Sequence, residues 1–353
     1  MARSHRRREL ARRVADELES WARERAPELL ARAEAEAVAV IRDALVDAAL
    51  AERGAGAARP ARPATPRPRS APPAEPSAAG DTSSGHGLWA YCVTRAGTPL
   101  PSDIAGVADE GALRRVDAHG LAVVVSPVPL DEFGAAPLRE NLNDLEWLER
   151  VARDHEAVLE RLLADGTMVP LRLCTIYERE DSAREMLERE HESLTRALEA
   201  LAGREEWGVK LLADAERLAD EARSRSAEIT ALQAELDART GGGAYMLRRR
   251  LERQVREAAD SLGAELAEQV HVRLQDWADD AVVLPPQNPE LSGHKGRMLL
   301  NAAYLVEAAR VDDLHALVTE LEERHTGLGV SVELTGPWPP YNFLPGGDTA
   351  ALA

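Results

Sequence analysis

Cysteine is nearly absent from this sequence. Cys92 and Cys174 stand 82 positions apart, so no disulfide framework can be built and no C-x-x-C pair exists to hold zinc. No apolar stretch follows the basic start Met1–Arg13, and no uninterrupted apolar run approaches the ~18–20 residues needed to cross a bilayer. A secretory signal and an integral membrane protein are therefore not expected; the cytoplasm is. Positive charge is also short, with 43 Lys and Arg against 61 Asp and Glu and a net charge of −18, which speaks against nucleic acid as a partner. The nine histidines form no H-E-x-x-H and no H-x₃-H pair on an expected helix. Gly241-Gly242-Gly243 does not follow a strand, and Gly293-His294-Lys295-Gly296-Arg297 lacks the phosphate-loop pattern and reads as a turn into a strand. No cofactor and no metal are expected.

What is present divides into blocks. The 353 residues correspond to two or three units at roughly 100–200 residues each. Residues 1–53 balance eleven Arg with eleven acidic residues. They read as an amphipathic helical extension, with Leu10, Val14, Leu18 and Trp21 on one face and Pro27 breaking or restarting it. Such a helix suits docking on a partner, on its own body or on a second copy of itself. Residues 54–87 hold seven prolines and nothing aliphatic larger than Ala, and read as a disordered linker. Residues 88–353 carry 28 basic against 48 acidic residues, so the acidity belongs to the main body.

Within that body, alternation over Leu88–Thr94 predicts a strand, and Leu113–Val116 with Leu121–Ser126 a hairpin. A helix follows with Leu145, Leu148, Val151, Val158, Leu159 and Leu162 on one face, Asn143 as its N-cap and Gly166 beyond its C-terminus. Met168–Tyr177 reads as strand, Ser182–Leu201 as helix and Glu206–Leu212 as strand. This order predicts an α+β unit, residues 88–213, with helices covering one face of an antiparallel sheet. Residues 214–280 read as a long, coiled-coil-like helical hairpin hinged at the three glycines. Residues 281–345 form a second, smaller α+β unit, with strand Arg297–Val306, helix Asp312–Arg324 and strand Gly329–Leu334; residues 346–353 are a tail.

Residues that could carry chemistry are few. His155 lies on or beside the apolar face of its helix; there it serves as a base in an inter-domain cleft of a small hydrolase or transferase, or as a packed structural group. The segment Leu334-Thr335-Gly336-Pro337-Trp338-Pro339-Pro340-Tyr341-Asn342-Phe343 stands out more, with three prolines that stiffen the backbone and three aromatics. Two readings are open, a partner-binding edge and a rigid loop packed over its own sheet. Glu205-Glu206-Trp207-Gly208-Val209-Lys210 is a second dense cluster, at the start of a strand. The candidate binding residues are Glu206, Trp207, Gly208, Lys210, Gly336, Pro337, Trp338, Pro339, Pro340, Tyr341 and Phe343.

These segments carry a resemblance. Leu88-Trp89-Ala90-Tyr91-Cys92-Val93, Trp147 with Asp154-His155-Glu156, Val169-Pro170-Leu171-Arg172-Leu173, Glu206–Lys210, Gly243-Ala244-Tyr245-Met246-Leu247-Arg248-Arg249 and Leu334–Phe343 stand in the order of the gas vesicle proteins of the GvpL/GvpF type, over about Leu88–Pro345. Residues 1–87 fall outside the likeness, and Leu173 stands where family members often have Phe. The resemblance implies two ferredoxin-like α+β domains with a coiled-coil-like element. It implies a non-enzymatic accessory or minor structural protein that engages the small gas vesicle shell protein and other accessory proteins during assembly, and does not separate the L-type from the F-type role. Self-association through the N-terminal helix is a further expectation.

Overall fold

A computed structural model describes residues 85–108, 111–164, 166–239, 242–285 and 296–344. The expected N-terminal helix, nearly all of the Pro/Ala-rich linker, the tail and His294-Lys295 lie outside the described residues.

The first sheet is built from β1 (His86–Arg95), β2 (Arg114–Ala118), β3 (Leu121–Pro129), β4 (Val169–Pro170) and β5 (Ile176–Tyr177). Its order is β2-β3-β1-β4, β5 also pairs with β1, and every pairing is antiparallel. Between β3 and β4 run the short helices α1 (Leu130–Phe133) and α2 (Ala135–Asn141) and the long α3 (Leu145–Leu163). Asp144, one residue after the expected Asn143, caps α3 by accepting from the amides of Glu146 and Trp147 at 3.0 and 3.3 Å. The helix ends at Ala164 in ordinary right-handed conformation, so Gly166 is not a left-handed cap.

Three expectations change here. Met168–Tyr177 is not one strand but two short pieces on the same edge of β1, separated by a turn in which Cys174 takes a φ of 66°. Helix Ser182–Leu201 is two helices, α4 (Glu180–Arg189) and α5 (His191–Leu201), broken at Glu190. The sheet is also covered on both faces. Trp89, Tyr91, Val124 and Val128 pack against Val151, Val158 and Leu159 of α3. Leu88, Ala90, Val93, Val123 and Val125 pack against Met186, Leu187, Leu194 and Leu198 of α4 and α5. A strand with two buried faces shows no amphipathic alternation, and β1 is buried at eight consecutive positions.

The second sheet contains β6 (Arg204–Ala213), β7 (Asp280–Val283), β8 (Arg297–Glu307) and β9 (Val330–Trp338) in the order β7-β8-β6-β9, again antiparallel throughout. Glu206–Leu212, expected to close the first unit, is an interior strand of the second sheet. The division between sheets thus falls before Arg204 rather than after Ala213. Numbered within each unit, both sheets share the order 2-3-1-4; the first joins its strands 1 and 2 by a loop, the second by helices. Those helices are α6 (Ala215–Arg225), α7 (Ala227–Asp237) and α8 (Gly242–Gln275), and α9 (Val311–His325) joins β8 to β9. Asp214 and Ser226 cap α6 and α7, which makes the first arm two helices.

Trp207, Val209, Leu211, Ala302 and Tyr304 face α6, α9 and the C-terminal half of α8, where Leu262, Leu266, Val270 and Leu274 are buried. The N-terminal half of α8 packs mainly with α7, with Ala219 of α6 at the border. There Ile229, Leu232, Leu251 and Val255 form a separate cluster, and Glu228 of α7 reaches Gln254 and Arg250 of α8 at 2.7 and 3.7 Å. From the opposite face of the second sheet, Ala303 and Leu305 join the core of the first. The two units therefore share one hydrophobic cluster.

Because the α7–α8 arm rests on so few buried side chains, it is expected to open without the sheets. Leu232→Ala should cost the arm ~2–3 kcal/mol and speed amide exchange across α7 by at least ~10-fold, while β6 and β8 keep their protection. Hydrogen-exchange mass spectrometry reads both; equal loss in α7 and β6 would show a single cooperative unit.

Candidate partner-binding site

The two motifs lie side by side. β6 and β9 pair with Glu206 opposite Trp338, Gly208 opposite Thr335 and Lys210 opposite Glu333, with a register shift between Glu206 and Gly208. At Trp207 the shift turns the indole into the second core, where it is 7% exposed, meets His315 edge-on at 5.3 Å and donates to Glu205 Oε2 at 3.0 Å. Two glycines permit this approach. A Cβ on Gly208 would stand 2.9 Å from Thr335 Oγ1, and one on Gly336, whose φ is +139°, 3.0 Å from the Glu206 carbonyl and 3.1 Å from the Trp207 ring.

Beyond Trp338 the chain leaves the sheet and crosses to the first unit. Pro339 and Pro340 are buried, and the turn Tyr341–Phe343 is held by Glu206, itself 1% exposed. The Asn342 amide donates to Glu206 Oε2 at 3.1 Å and its side-chain NH₂ to Oε1 at 2.6 Å. A buried carboxylate so bonded fixes the turn. Phe343 enters the shared cluster with Ala303 and Leu305, while Tyr341 lies against the α3 side of the first sheet.

His155 completes this crossing. The ring is 1% exposed, stacks on Tyr91 at 5.3 Å, and its Nδ1 accepts from Trp89 Nε1 at 3.0 Å. With Nδ1 accepting, the neutral ring carries its proton on Nε2, which faces Tyr341 Oη at 3.3 Å; that hydroxyl also donates to the Leu171 carbonyl at 3.3 Å. Burial pushes the His155 pKa down to about 3, opposed by a hydrogen bond to the Leu171 backbone. Its ring nitrogens are committed to tryptophan and to the tyrosine–carbonyl pair. Among the described residues its side-chain neighbours are Trp89, Tyr91 and Tyr341, none of them a serine or cysteine.

Of the candidate residues, Glu206, Trp207, Lys210, Pro339, Pro340 and Phe343 are buried, and Gly208, Trp338 and Tyr341 are half-buried. Gly336 and Pro337 alone are exposed. The seven from Gly336 to Phe343 belong to the end of β9 and the strap that crosses to the first unit, and the four on β6 lie beside them across the β6–β9 pairing. Pattern reading missed the partners of that strap. Trp89, His155, Leu171 and Asn342 all lay in segments already singled out, and only their separation in sequence hid the contact. Cys92 is buried with its thiol pushed up by desolvation, whereas Cys174 lies in a turn rather than the expected strand. Among the described residues no group of three or more His, Cys, Asp or Glu is placed to hold a metal, and no helix is long and apolar enough to cross a membrane.

The geometry defines an α+β protein of two like-ordered antiparallel sheets, strapped together by a C-terminal crossing and carrying a two-helix arm. The chain belongs to the family described as gas vesicle synthesis protein GvpL/GvpF, whose model matches residues 87–345. It is 38% identical to gas vesicle protein L of Streptomyces sp. over 258 residues, covering 72% of this chain and 91% of that protein. It is 30% identical to gas vesicle protein F of Streptomyces sp., covering 72% and 98%. The crystal structure of the gas vesicle protein GvpF from Anabaena sp. shares the fold with a TM-score of 0.57 at 18% identity, covering 74% of this chain and 98% of that one.

Removing the Asn342 side chain takes one donor from a carboxylate that is 1% exposed. Asn342→Ala is expected to lower stability by ~1.5–3 kcal/mol in urea unfolding, against less than ~0.5 for an exposed control such as Ser331→Ala. His155 gives a pH signature. Its folded pKa lies below the unfolded value, so its contribution is fully present above about pH 6.5 and is lost as pH falls from there towards about 3. Stability of the parent should fall by up to ~1.4 kcal/mol per pH unit more than that of His155→Gln below pH 6. Parallel slopes for the two proteins would show that His155 takes up its proton in the folded state.

Proposed function

We propose that the protein is a non-enzymatic accessory or minor structural protein of gas vesicles that binds the small shell protein, together with other accessory proteins, and supports assembly in the cytoplasm. The observation that carries this is the family match over residues 87–345, which takes in both sheets, the strap and the arm. Shell subunits must carry apolar surface before they assemble, and a partner that covers it suppresses aggregation. β9 supports the reading, because it is an edge strand of the second sheet and ends in exposed Gly336 and Pro337 beside half-buried Trp338. An edge strand accepts an extended segment by main-chain pairing, and the proline at its end stops unlimited growth.

Other features support finer readings. The shared 2-3-1-4 strand order supports a ferredoxin-like reading of both units, the arm being inserted at the first crossover of the second. The higher identity to the L protein than to the F protein of Streptomyces sp. favours an L-type role. The sealed surroundings of His155 weigh against a hydrolase or transferase centred there.

Burial also decides which residue tests the binding edge. Tyr341 holds the two units together, so its truncation would confuse unfolding with lost binding; Trp338 is the better probe. The full chain, co-expressed with the shell protein, is expected to retain it on purification, and Trp338→Ala to reduce retention ~10-fold at unchanged thermal stability. Failure of the full chain to retain shell protein, with vesicles unchanged on gene deletion, would overturn the proposal.

A further inference from the structure

Six large apolar side chains are exposed among the described residues: Leu142, Leu145, Tyr245, Met246, Val272 and Val283. Val272 and Val283 stand singly, as scattered apolar side chains do on any surface. Tyr245 and Met246 lie at the end of the arm among cations, with five arginines against one glutamate between Ala244 and Arg256. Leu142 and Leu145, 43% and 79% exposed, have opposite surroundings. They flank the corner where α2 gives way to α3, and the segment Leu130–Arg150 that forms it holds six carboxylates against two arginines. Three of the six are engaged: Asp144 caps α3, Glu132 meets Trp147 and Arg150, and Glu149 meets Arg153. Asp131, Glu140 and Glu146 are exposed and have no ion pair among the described residues. Two leucines turned to water beside unpaired carboxylates fit an apolar segment that carries arginines.

This chain has such a segment. Arg3 to Arg13 holds six arginines against Glu9 in a protein of net charge −18, and Leu10, Val14, Leu18 and Trp21 follow at spacings of four, four and three. Its connection to the body ends at the same corner. The Gly85 carbonyl accepts from the Leu130 amide at 2.7 Å. Two residues on, Glu132 accepts from Asn141 Nδ2 at 3.1 Å through its carbonyl and from Trp147 Nε1 at 2.7 Å through its carboxylate. Leu142 directly follows the first of these donors, and Leu145 stands two residues before the second. Residues 22–84 tether the segment, and a coil of their number spans roughly 40 Å, so the corner is in reach. Such a tether sets an effective concentration on the order of millimolar, which a second copy at micromolar concentration does not match.

We infer that residues 3–21 dock on the Leu142–Leu145 corner of their own chain, with Leu10, Val14, Leu18 and Trp21 covering the two leucines and the arginines meeting Asp131, Glu140 and Glu146. The other exposed apolar pair, Tyr245 and Met246, is closed to this segment by like charge. The contact joins exposed charges over a small apolar area, so it is reversible and salt weakens it. The corner belongs to the first unit and edge strand β9 to the second, so the contact does not rest on the shell-protein reading.

Photo-crosslinking of the full chain, with p-benzoylphenylalanine in place of Trp21, tests it. At low salt the expected product is a link within one chain, migrating as monomer and placed by mass spectrometry in residues 138–150. The pair Arg7→Glu with Arg8→Glu, and the pair Leu142→Ser with Leu145→Ser, should each lower the yield of that link by ~5-fold or more, with the melting temperature unchanged because Leu142 and Leu145 are exposed. Adding Glu140→Lys and Glu146→Lys to the arginine pair should restore it. The chain without the probe gives a second reading, in that residues 138–149 should exchange hydrogen more slowly in the parent than in the Arg7→Glu, Arg8→Glu variant. A link between two chains, a link to another part of the body, or a yield that none of these substitutions changes overturns the inference, as does equal exchange with no link formed.

Discussion

A single buried carboxylate holds the arrangement of this molecule together. Glu206 is 1% exposed on β6, and a charge so placed must be met by donors, or the fold carries an uncompensated desolvation cost of several kcal/mol. Two donors come from Asn342, 136 positions away, through its main-chain and side-chain N–H groups. That requirement fixes the turn after Pro340, and the turn fixes its neighbours. Tyr341 is set against His155 and the Leu171 carbonyl, and Phe343 enters the cluster shared by both sheets. Burial of one phenylalanine contributes about 1.5–3 kcal/mol and the charge-assisted bonds a similar amount each. The strap thus joins the units by a few specific contacts as well as by the broader packing of Ala303 and Leu305.

The parts of the fold legible in the sequence are those whose physics is local. Helix α3 shows its apolar stripe, and α9 and β8 fall within a residue or two of the positions read from periodicity. The misreadings have non-local causes. Strand β1 is buried on both faces, so one-sided cover by helices could not be inferred from it. The break at Glu190 carries no proline or glycine signal, and the turn through Cys174 uses a left-handed conformation on a residue that rarely takes it. Strand β9 runs through Gly336 and Pro337, residues that read as loop, because an edge strand tolerates a missing donor. Assignment of β6 to the first unit followed sequence order, whereas pairing partners 84 or more residues away decide its sheet.

The candidate site was legible as composition but not as geometry. Proline-rich aromatic sequence is equally good for presenting a surface and for bracing one, and nothing in Leu334–Phe343 itself separates the two. The separation comes from Glu206, which pulls Asn342 inward and takes Tyr341 and Phe343 with it. What remains outward is Gly336, Pro337 and one side of Trp338. His155 follows the same logic. As a lone histidine on an apolar helix face it could be a base, but Trp89 occupies Nδ1 and burial holds the ring neutral, so its proton stays on Nε2 in the contact that positions Tyr341.

The repeated strand order bears on how such a protein meets its partners. Two units with the same order differ in what fills the first crossover: a loop in the first, and three helices in the second. The second unit buries α6 and half of α8 against its sheet, as a crossover helix must, and leaves α7 and the rest of α8 with a cluster of only four buried residues. Such an arm adds little to the stability of the sheet. Its length, its inverted charge and the exposure of Tyr245 and Met246 instead give it reach. Edge strand and arm tip lie on different elements of one braced body, so a contact made at one leaves the other open.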